Sequence, residues 1–302
     1  MNVLVTGGAG FIGSHIVDLL VEKGCTVSIV DNLSTGRPEN INPGANFCNI
    51  DVRDPGLKEI VAREKPSAVI HLAAQVDVQR SLQDPHTDAE INIIGAVNLL
   101  DACSASGVGK VVYASTAAVY GSPAYLPVDE RHPVAPQSPY GLSKHTVEHY
   151  LRLYRDMHGI NFTVLRFANV YGPRQDATGE GGVVAIFIDK LAKGVKPVIF
   201  GDGEQTRDFI YVKDVAAASL AALQQGDGGT FNVSTGKGLS VNYLYQALKA
   251  LTGSIMEPLY QPPRPGDITH STLSNARACV SLDWRPRYIL MEGLRETVDF
   301  CR

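Results

Sequence analysis

The chain has 302 residues, of which 44% are hydrophobic and 19% are charged, and its formal net charge is -4 at pH 7. That composition is typical of a globular protein with an ample core, and it excludes the disordered and fibrous classes. A mildly acidic chain has no general attraction to nucleic acid or to an anionic membrane, so we expect neither as a partner. An anionic ligand would have to be held by local positive groups.

Short apolar segments alternate with amphipathic segments of helical length through the first half of the chain. The predicted strands are 3–5, 26–30, 68–72, 110–114 and 161–166, and the predicted helices are 11–23, 88–106 and 139–158. The strands are continuous apolar runs, as expected for a parallel sheet that is covered on both faces. We therefore predict an α/β fold with a Rossmann-like, doubly wound parallel sheet and ligands at the carboxyl ends of its strands.

Loops become longer after about residue 169, and the predicted helices are 183–193, 212–224, 241–251 and 291–300. We predict that residues 1–168 and about 208–235 form the nucleotide-binding domain. The remainder, about 169–207 and 236–302, is predicted to form a smaller C-terminal α/β lobe that binds the substrate.

The sequence carries no signal for membrane insertion, secretion or metal binding. No apolar run approaches the roughly 20 residues that span a bilayer, and no basic segment followed by an apolar run precedes the first strand. Five cysteines without C-x-x-C spacing indicate free thiols in a reducing compartment, so a cytoplasmic location is expected. No H-E-x-x-H pattern occurs, and no metal site is expected.

The first motif, Gly7-x-x-Gly10-x-x-Gly13, lies between the first predicted strand and helix. The first glycine permits a tight turn, the second lets backbone N–H groups approach a pyrophosphate, and the third allows close helix–strand packing. Asp31 ends the second strand, where a carboxylate can accept from the adenosine ribose. An acid there would repel a 2′-phosphate, so NAD is favoured over NADP despite the nearby Arg37.

Asp51 and Val52 follow another strand-like segment, at a position suited to contact adenine. A simple turn aspartate is the alternative interpretation.

The second motif is a phenol and an amine on one helix. Ser138 and Pro139 have the pattern of an N-cap followed by a first helical residue, which places Tyr140 and Lys144 at i and i+4 on one face. A free phenol has a pKa of about 10, and a neighbouring ammonium or an oxidised nicotinamide is expected to lower it. Alone the pair is typical of a solvated helix face, but after the glycine motif it indicates hydride transfer coupled to proton transfer.

Ser115 and Thr116 follow the predicted strand 110–114, where a hydroxyl can point into the ligand crevice. We assign Thr116 to hydrogen-bond the substrate hydroxyl beside Tyr140. Ser115 is the competitor for that role, and a purely structural turn is the other alternative.

These residues resemble the extended short-chain dehydrogenase/reductase family, and within it the NAD-dependent epimerases and dehydratases. The nearest group is the sugar-nucleotide 4-epimerases of the UDP-glucose 4-epimerase type, and the likeness extends along essentially the whole chain. The catalytic set implied is Thr116, Tyr140 and Lys144. The implied cofactor contacts, besides Tyr140 and Lys144, are Gly7, Gly10, Phe11, Ile12, Gly13, Asp31, Asn32, Ser34, Thr35, Gly36, Asp51, Val52, Leu72, Ala73, Ala74, Gln75, Asn92, Ser115 and Phe167. The implied substrate contacts, besides Thr116 and Tyr140, are Asn169, Arg207, Arg264, Asp267 and Ser271, with the two arginines on the nucleotide diphosphate.

The residues after Thr116 distinguish between the reactions of this family. Related dehydratases carry Asp-Glu there and related decarboxylases carry Glu, whereas this chain has Ala117 and Ala118. Methyl groups cannot transfer protons, so the resemblance implies an epimerase that interconverts UDP-glucose and UDP-galactose through a 4-keto sugar. In the family the position of Ser271 helps to gate the sugar pocket, and a serine leaves room for the 2-acetamido group of UDP-GlcNAc and UDP-GalNAc.

Three alternatives remain open. The first is another nucleotide-sugar epimerase, for example one that acts on UDP-glucuronate. The second is a sugar-nucleotide dehydratase or reductase, and the third is a non-catalytic NAD sensor.

Helices 88–106 and 139–158 carry apolar residues on more than one face, which predicts a homodimer through a four-helix bundle. Burial within one chain is the alternative for these residues, which are Ile91, Ile93, Ile94, Val97, Leu99, Leu100, Val147, Tyr150, Leu151 and Tyr154.

Overall fold

The computed structural model describes residues 1–177, 182–263 and 268–302. In chain order, the helices and strands of these residues are β1 (Asn2–Thr6), α1 (Phe11–Glu22), β2 (Thr26–Asp31), β3 (Asn46–Asn49), α2 (Leu57–Glu64), β4 (Ala68–His71), α3 (Val78–Gln83), α4 (Pro85–Ala89), α5 (Gly95–Ala105), β5 (Lys110–Thr116), α6 (Pro139–His158), β6 (Asn161–Phe167), β7 (Asn169–Tyr171), α7 (Val183–Ala192), β8 (Val198–Phe200), β9 (Thr206–Tyr211), α8 (Val212–Gln224), β10 (Gly229–Val233), β11 (Gly238–Ser240), α9 (Val241–Thr252), β12 (Leu259–Gln261), α10 (Ala276–Ser281) and α11 (Leu290–Phe300). A π turn covers Glu90–Ile94, and 3-10 turns cover Pro38–Asn40 and Ala117–Tyr120.

The central sheet has seven parallel strands in the order β10-β6-β5-β4-β1-β2-β3. The chain runs outward in one direction from β1 to β3 and in the other from β4 to β10, so the topological switch lies between β1 and β4. Val3 and Val5 pack into a hydrophobic cluster with α1 and α8 on one face, and Leu4 packs into a second cluster with α2 and α5 on the other. The predicted doubly wound α/β fold is confirmed.

Two elements of the nucleotide-binding part have no strong signal in the sequence. β3 is an edge strand of which only Cys48 is fully buried, so it lacks a continuous apolar run. The predicted helix 88–106 is interrupted by the π turn, after which α5 begins at Gly95. A π turn inserts one residue into the helical ladder and redirects the side chains within it.

The later part of the chain forms two small sheets, β11-β9-β7 and β12-β8. α7, α9 and α11 contribute a separate hydrophobic cluster against them. Within 208–235, α8 packs against α1 and β10 pairs with β6.

The helical layer of α5 and α6 has both buried and exposed apolar side chains. Leu99, Leu100, Val147 and Leu151 are buried within the chain itself, which is the alternative given for them in the sequence analysis. The large apolar side chains that remain exposed on this helical layer are Ile94, Leu142, Leu153 and Met157.

None of the helices in the described ranges is long and apolar enough to cross a membrane. Over the same part of the chain, no group of three or more His, Cys, Asp or Glu side chains is arranged to hold a metal ion. All five cysteines are free thiols.

Candidate active site

The loops that carry the predicted glycine motif, Leu72, Ala73 and Thr116 meet at the carboxyl edge of the central sheet. The loops after β1 and β4 touch, since a Cβ added to Gly7 would lie 2.8 Å from the backbone nitrogen of Ala73. Leu72 and Ala73 both donate backbone N–H groups to the hydroxyl of Thr6, at 3.2 Å. The last residue of β5, Thr116, pairs in register with Phe167 of β6.

The glycine turn leaves the start of α1 open. Gly7 has a φ of +71°, which favours glycine, and a Cβ at Gly13 would lie only 2.0 Å from the carbonyl oxygen of Gly7. Gly10 is the N-cap of α1, no side chain caps the helix, and its first turn contains no acidic residue. Backbone donors and the positive end of the helix dipole are therefore available for an anion, and the turn fits a pyrophosphate.

Asp31 joins the glycine turn to the loop after β2. It is buried, and its carboxylate accepts from the backbone of Ala9 at 3.0 Å and of Leu33 at 2.9 Å. A carboxylate has about four acceptor positions, so further hydrogen bonds to a ribose remain possible. The guanidinium of Arg37 lies 3.5 Å from the carboxylate of Asp176. The predicted contacts Asn32, Ser34 and Thr35 are exposed around this carboxylate, and Gly36 packs against it.

Asp51 is part of a polar cluster at the adenine side of the predicted cofactor site. Arg53 donates to its two oxygens at 2.9 and 2.8 Å, and the amide of Asn32 donates at 2.7 Å. The hydrogen bonds from Arg53 lower the pKa of Asp51 to about 2. Val52 is buried and would touch a Cβ added to Gly95.

The start of α6 places the phenol beside the end of β5. As predicted, Ser138 caps the helix by accepting from Gly141 at 3.1 Å. A Cβ on Gly141 would lie 2.8 Å from the carbonyl oxygen of Ala118, so only a glycine allows this approach. Ala118 donates its backbone N–H to the hydroxyl oxygen of Thr116 at 3.1 Å, and the Thr116 hydroxyl lies near enough to Tyr140 to lower the pKa of its phenol.

Ser115 points the other way. Its hydroxyl donates to Glu148 at 2.6 Å, and the same carboxylate is held by Arg166 at 2.9 and 2.5 Å. Burial alone would raise the pKa of Glu148, but the hydrogen bonds, led by those from Arg166, outweigh it and bring the pKa to about 2. Thr116, not Ser115, is therefore the strand-end hydroxyl beside Tyr140.

The pKa values of Tyr140 and Lys144 are both shifted by burial. Burial raises its pKa to about 12, the hydrogen bond from Thr116 opposes the rise, and the charge of Asp88 adds to it. Burial also lowers the pKa of Lys144 to about 8, against the charges of Asp88 and Glu148. The Lys144 ammonium lies 4.7 Å above the ring of Tyr113. Burial therefore dominates the pKa of the phenol in the protein by itself, and the expected lowering by Lys144 together with an oxidised nicotinamide stays a prediction.

A buried network supports these groups, and its central carboxylate, Asp88, was not singled out from the sequence. Asn92, in the π turn, accepts from the backbone of Gln75 at 2.8 Å, and its amide nitrogen lies 3.0 Å from the hydroxyl of Ser143 on α6. Asp88 accepts from Gln75 at 2.9 Å and from Asn92 at 3.1 Å through one oxygen. Its other oxygen is buried without a hydrogen-bond partner among the described residues. The only available signal was an acid within an otherwise amphipathic helix, which is too weak to predict a site.

Three of the predicted substrate residues, Asn169, Arg207 and Ser271, lie on or next to the small sheet β11-β9-β7. Arg207, on β9, donates to the carbonyl of Thr206 at 2.9 Å, and the backbone of Ser271 donates to the same carbonyl at 3.1 Å. Asn169 starts β7, is exposed and pairs with Phe209. Arg207 and Ser271 are therefore neighbours, whereas Arg264 and Asp267 lie outside the described residues.

Comparison with known proteins agrees with this geometry. Residues 3–234 match the NAD dependent epimerase/dehydratase family. A UDP-glucose 4-epimerase of Mycolicibacterium smegmatis is 44% identical, with 100% of this chain and 99% of that protein covered. The crystal structure of a Thermotoga maritima UDP-glucose 4-epimerase with UDP-glucose is 46% identical with a TM-score of 0.98, covering 100% and 99% of the two chains. That of a Thermus thermophilus UDP-glucose 4-epimerase with NAD is 44% identical with a TM-score of 0.94, covering 99% and 98%. The chain therefore belongs to the NAD-dependent epimerase/dehydratase family.

Proposed function

We propose that this protein is an NAD-dependent 4-epimerase that interconverts UDP-glucose and UDP-galactose. The observation that carries the proposal is the buried phenol of Tyr140 next to the strand-end hydroxyl of Thr116 at the carboxyl edge of the sheet, beside an uncapped glycine turn. A sensor that only bound NAD would have no need for a buried phenol paired with a strand-end hydroxyl.

The chain supplies a binding frame for the cofactor. The turn from Gly7 to Gly13 and the open start of α1 would hold the pyrophosphate, and Asp31 would accept from the adenosine ribose. When bound, NAD would supply the reversible hydride acceptor for C4 of the sugar, which is chemistry that side chains cannot supply.

Tyr140 would exchange the proton of the C4 hydroxyl. Its phenol must lose a proton to act as a base, and its high pKa of about 12 opposes that loss. Donation from the hydroxyl of Thr116 favours the phenolate, because a hydrogen bond to the charged form lowers a pKa. Lys144 adds positive charge to the same pocket, and the charge of an oxidised nicotinamide would add more. Proton loss would then be favoured only when cofactor is present.

The reaction ends at epimerisation because acid–base groups are missing where a dehydratase needs them. The 3-10 turn after Thr116 presents Ala117 and Ala118, and the backbone of Ala118 is used to position Thr116. Elimination of water would require a second proton donor and acceptor at this point. The 4-keto sugar can therefore only turn and be reduced again.

The second lobe, residues 169–207 with 236–302, would hold the nucleotide. An acidic protein needs local cations to bind a diphosphate, and Arg207 lies beside Ser271 at the edge of the site. Ser271 is half-buried and small, which leaves space for a 2-acetamido group. We therefore include UDP-GlcNAc and UDP-GalNAc among the candidate substrates.

We further propose a cytoplasmic homodimer in which α5 and α6 of two copies form a four-helix bundle. Ile94, Leu142, Leu153 and Met157 are 53–70% exposed on this layer, which is costly for a monomer. A cavity of about 460 Å³ between α4 and the start of α6, with Leu142 in its lining, adds apolar surface to the same region.

The test is to incubate the protein together with NAD in separate reactions with UDP-glucose, UDP-galactose, their N-acetyl analogues and UDP-glucuronate, and to identify the sugars formed. We expect the 4-epimers and no net change in NADH. Accumulation of NADH or of a 4-keto-6-deoxy sugar would instead identify a reductase or a dehydratase. Epimerisation of UDP-glucuronate alone would show that the substrate assignment is wrong.

A further inference from the structure

Two imidazoles face one another on α6, outside the site described above. His145 and His149 are one helical turn apart, and their Nε2 atoms are 3.1 Å apart. The ring centroids are 4.6 Å apart at an interplanar angle of 77°. The segment reads His-x-x-Glu-His, which has the histidine spacing of H-E-x-x-H with the glutamate next to the second histidine.

Glu148 orients the inner imidazole. The Nδ1 atom of His145 lies 3.2 Å from one carboxylate oxygen of Glu148, and Arg166 and Ser115 hold that carboxylate in place. A carboxylate on Nδ1 keeps the hydrogen there and leaves a lone pair on Nε2, as is usual for metal-binding histidines. Because Glu148 is fully buried and engaged by Arg166, it orients a ligand and is not itself one.

We propose that His145 and His149 form a bidentate site for a late first-row divalent ion such as Ni²⁺, Cu²⁺ or Zn²⁺, with water at the remaining positions. Bonds from such an ion to imidazole nitrogens are about 2.0–2.1 Å long, which places the two nitrogens about 2.9 Å apart at a right angle and about 3.4 Å apart at the tetrahedral angle. The observed 3.1 Å lies between these limits. Imidazole is a favoured ligand of all three ions.

The site lies on the helical layer that we propose for self-association. His149 is exposed on α6, between the exposed side chains of Leu142 and Leu153. An ion bound by one copy would give one ion per chain, and an ion shared across a two-fold axis would give one per two chains. The site itself does not depend on the proposed enzyme activity.

The test is calorimetric titration of the tag-free, full-length protein with NiCl₂ at neutral pH. We expect saturable binding with either of those stoichiometries. His149→Asn should weaken it at least tenfold, since even a change outside the ligand shell costs roughly 10- to 100-fold. His158→Asn is the matched control, because it removes an exposed histidine of the same helix and should leave binding unchanged. Thermal melting would check that each variant is folded.

Two results would overturn the proposal. One is the absence of saturable Ni²⁺ binding by the unaltered protein, which would leave a hydrogen bond between the two rings as the whole interaction. The other is equal affinity of the His149→Asn variant and the unaltered protein.

Discussion

Replacing Tyr140 by phenylalanine separates proton transfer from binding. The change keeps the ring and removes the hydroxyl, and with it the hydrogen bond from Thr116 that would lower the pKa of the phenol. Losing one such hydrogen bond costs about 1 kcal/mol of folding free energy. Losing the proton acceptor should reduce turnover roughly 10²- to 10⁴-fold, the equivalent of about 3–5 kcal/mol in the barrier. The loss of activity should therefore greatly exceed the loss of stability.

The assay is the rate of product formation from UDP-galactose, measured alongside NAD binding and thermal melting. Tyr113→Phe is the control, because Tyr113 is also buried and lies under Lys144, but its hydroxyl makes only a 3.4 Å contact with a backbone carbonyl. We expect the rate of the Tyr113→Phe variant to fall at most roughly fivefold, which corresponds to the loss of a hydrogen bond worth about 1 kcal/mol. Near-normal turnover in Tyr140→Phe, or equal losses in both variants, would refute the assignment of Tyr140.

Three other predictions follow from contacts and pKa values. Gly13→Ala places a methyl group 2.0 Å from the carbonyl oxygen of the first glycine of the motif, and it should cost about 1–3 kcal/mol of stability and weaken NAD binding. A Cβ added to Gly109 would have its nearest contact at 3.5 Å, so Gly109→Ala should have the melting temperature of the unaltered protein. Equal melting temperatures of the Gly13→Ala and Gly109→Ala variants would contradict the packing argument. Asp88→Asn removes a negative charge that keeps the pKa of Lys144 from falling below about 8, so the pH–rate profile should shift to lower pH. An unchanged profile would contradict an electrostatic role of Asp88 in the site. The pKa of His71 is about 3 in the folded protein and 6.5 in the unfolded chain. Between pH 6.5 and about pH 3 only the unfolded chain takes up this proton. The free energy of unfolding should therefore decrease by about 1.4 kcal/mol for each unit by which the pH is lowered. Urea unfolding at several pH values would test this, and His71→Gln should lack that part of the slope.

Much of the nucleotide site could be predicted because its information is local. The glycine spacing, the strand that precedes it and the helix that follows are contiguous, so Gly7 and Gly13 are recognisable from sequence. The N-cap serine and the i, i+4 spacing likewise placed Tyr140 and Lys144 on one helix face. Neither inference needed to know what packs against these residues.

Other features depend on tertiary structure and were not predictable. Ser115 and Thr116 are consecutive in a strand, so their side chains point to opposite faces of the sheet. Because the strand is apolar on both faces, its sequence does not indicate which of the two hydroxyls faces Tyr140. The phenol pKa depends on burial, which a helical spacing does not report. The part played by Asp88 exists only because the π turn brings Asn92 and Gln75 together around it.

The strand order also has a consequence for synthesis on the ribosome. Asn161–Phe167 pairs on one side with Gly229–Val233, which emerges about 60 residues later. Until then the nascent sheet ends in an unpaired, strongly apolar edge, the kind of surface that recruits other chains into aggregates. Slowed translation between these two strands should therefore lower the soluble yield more than the same delay placed after residue 240.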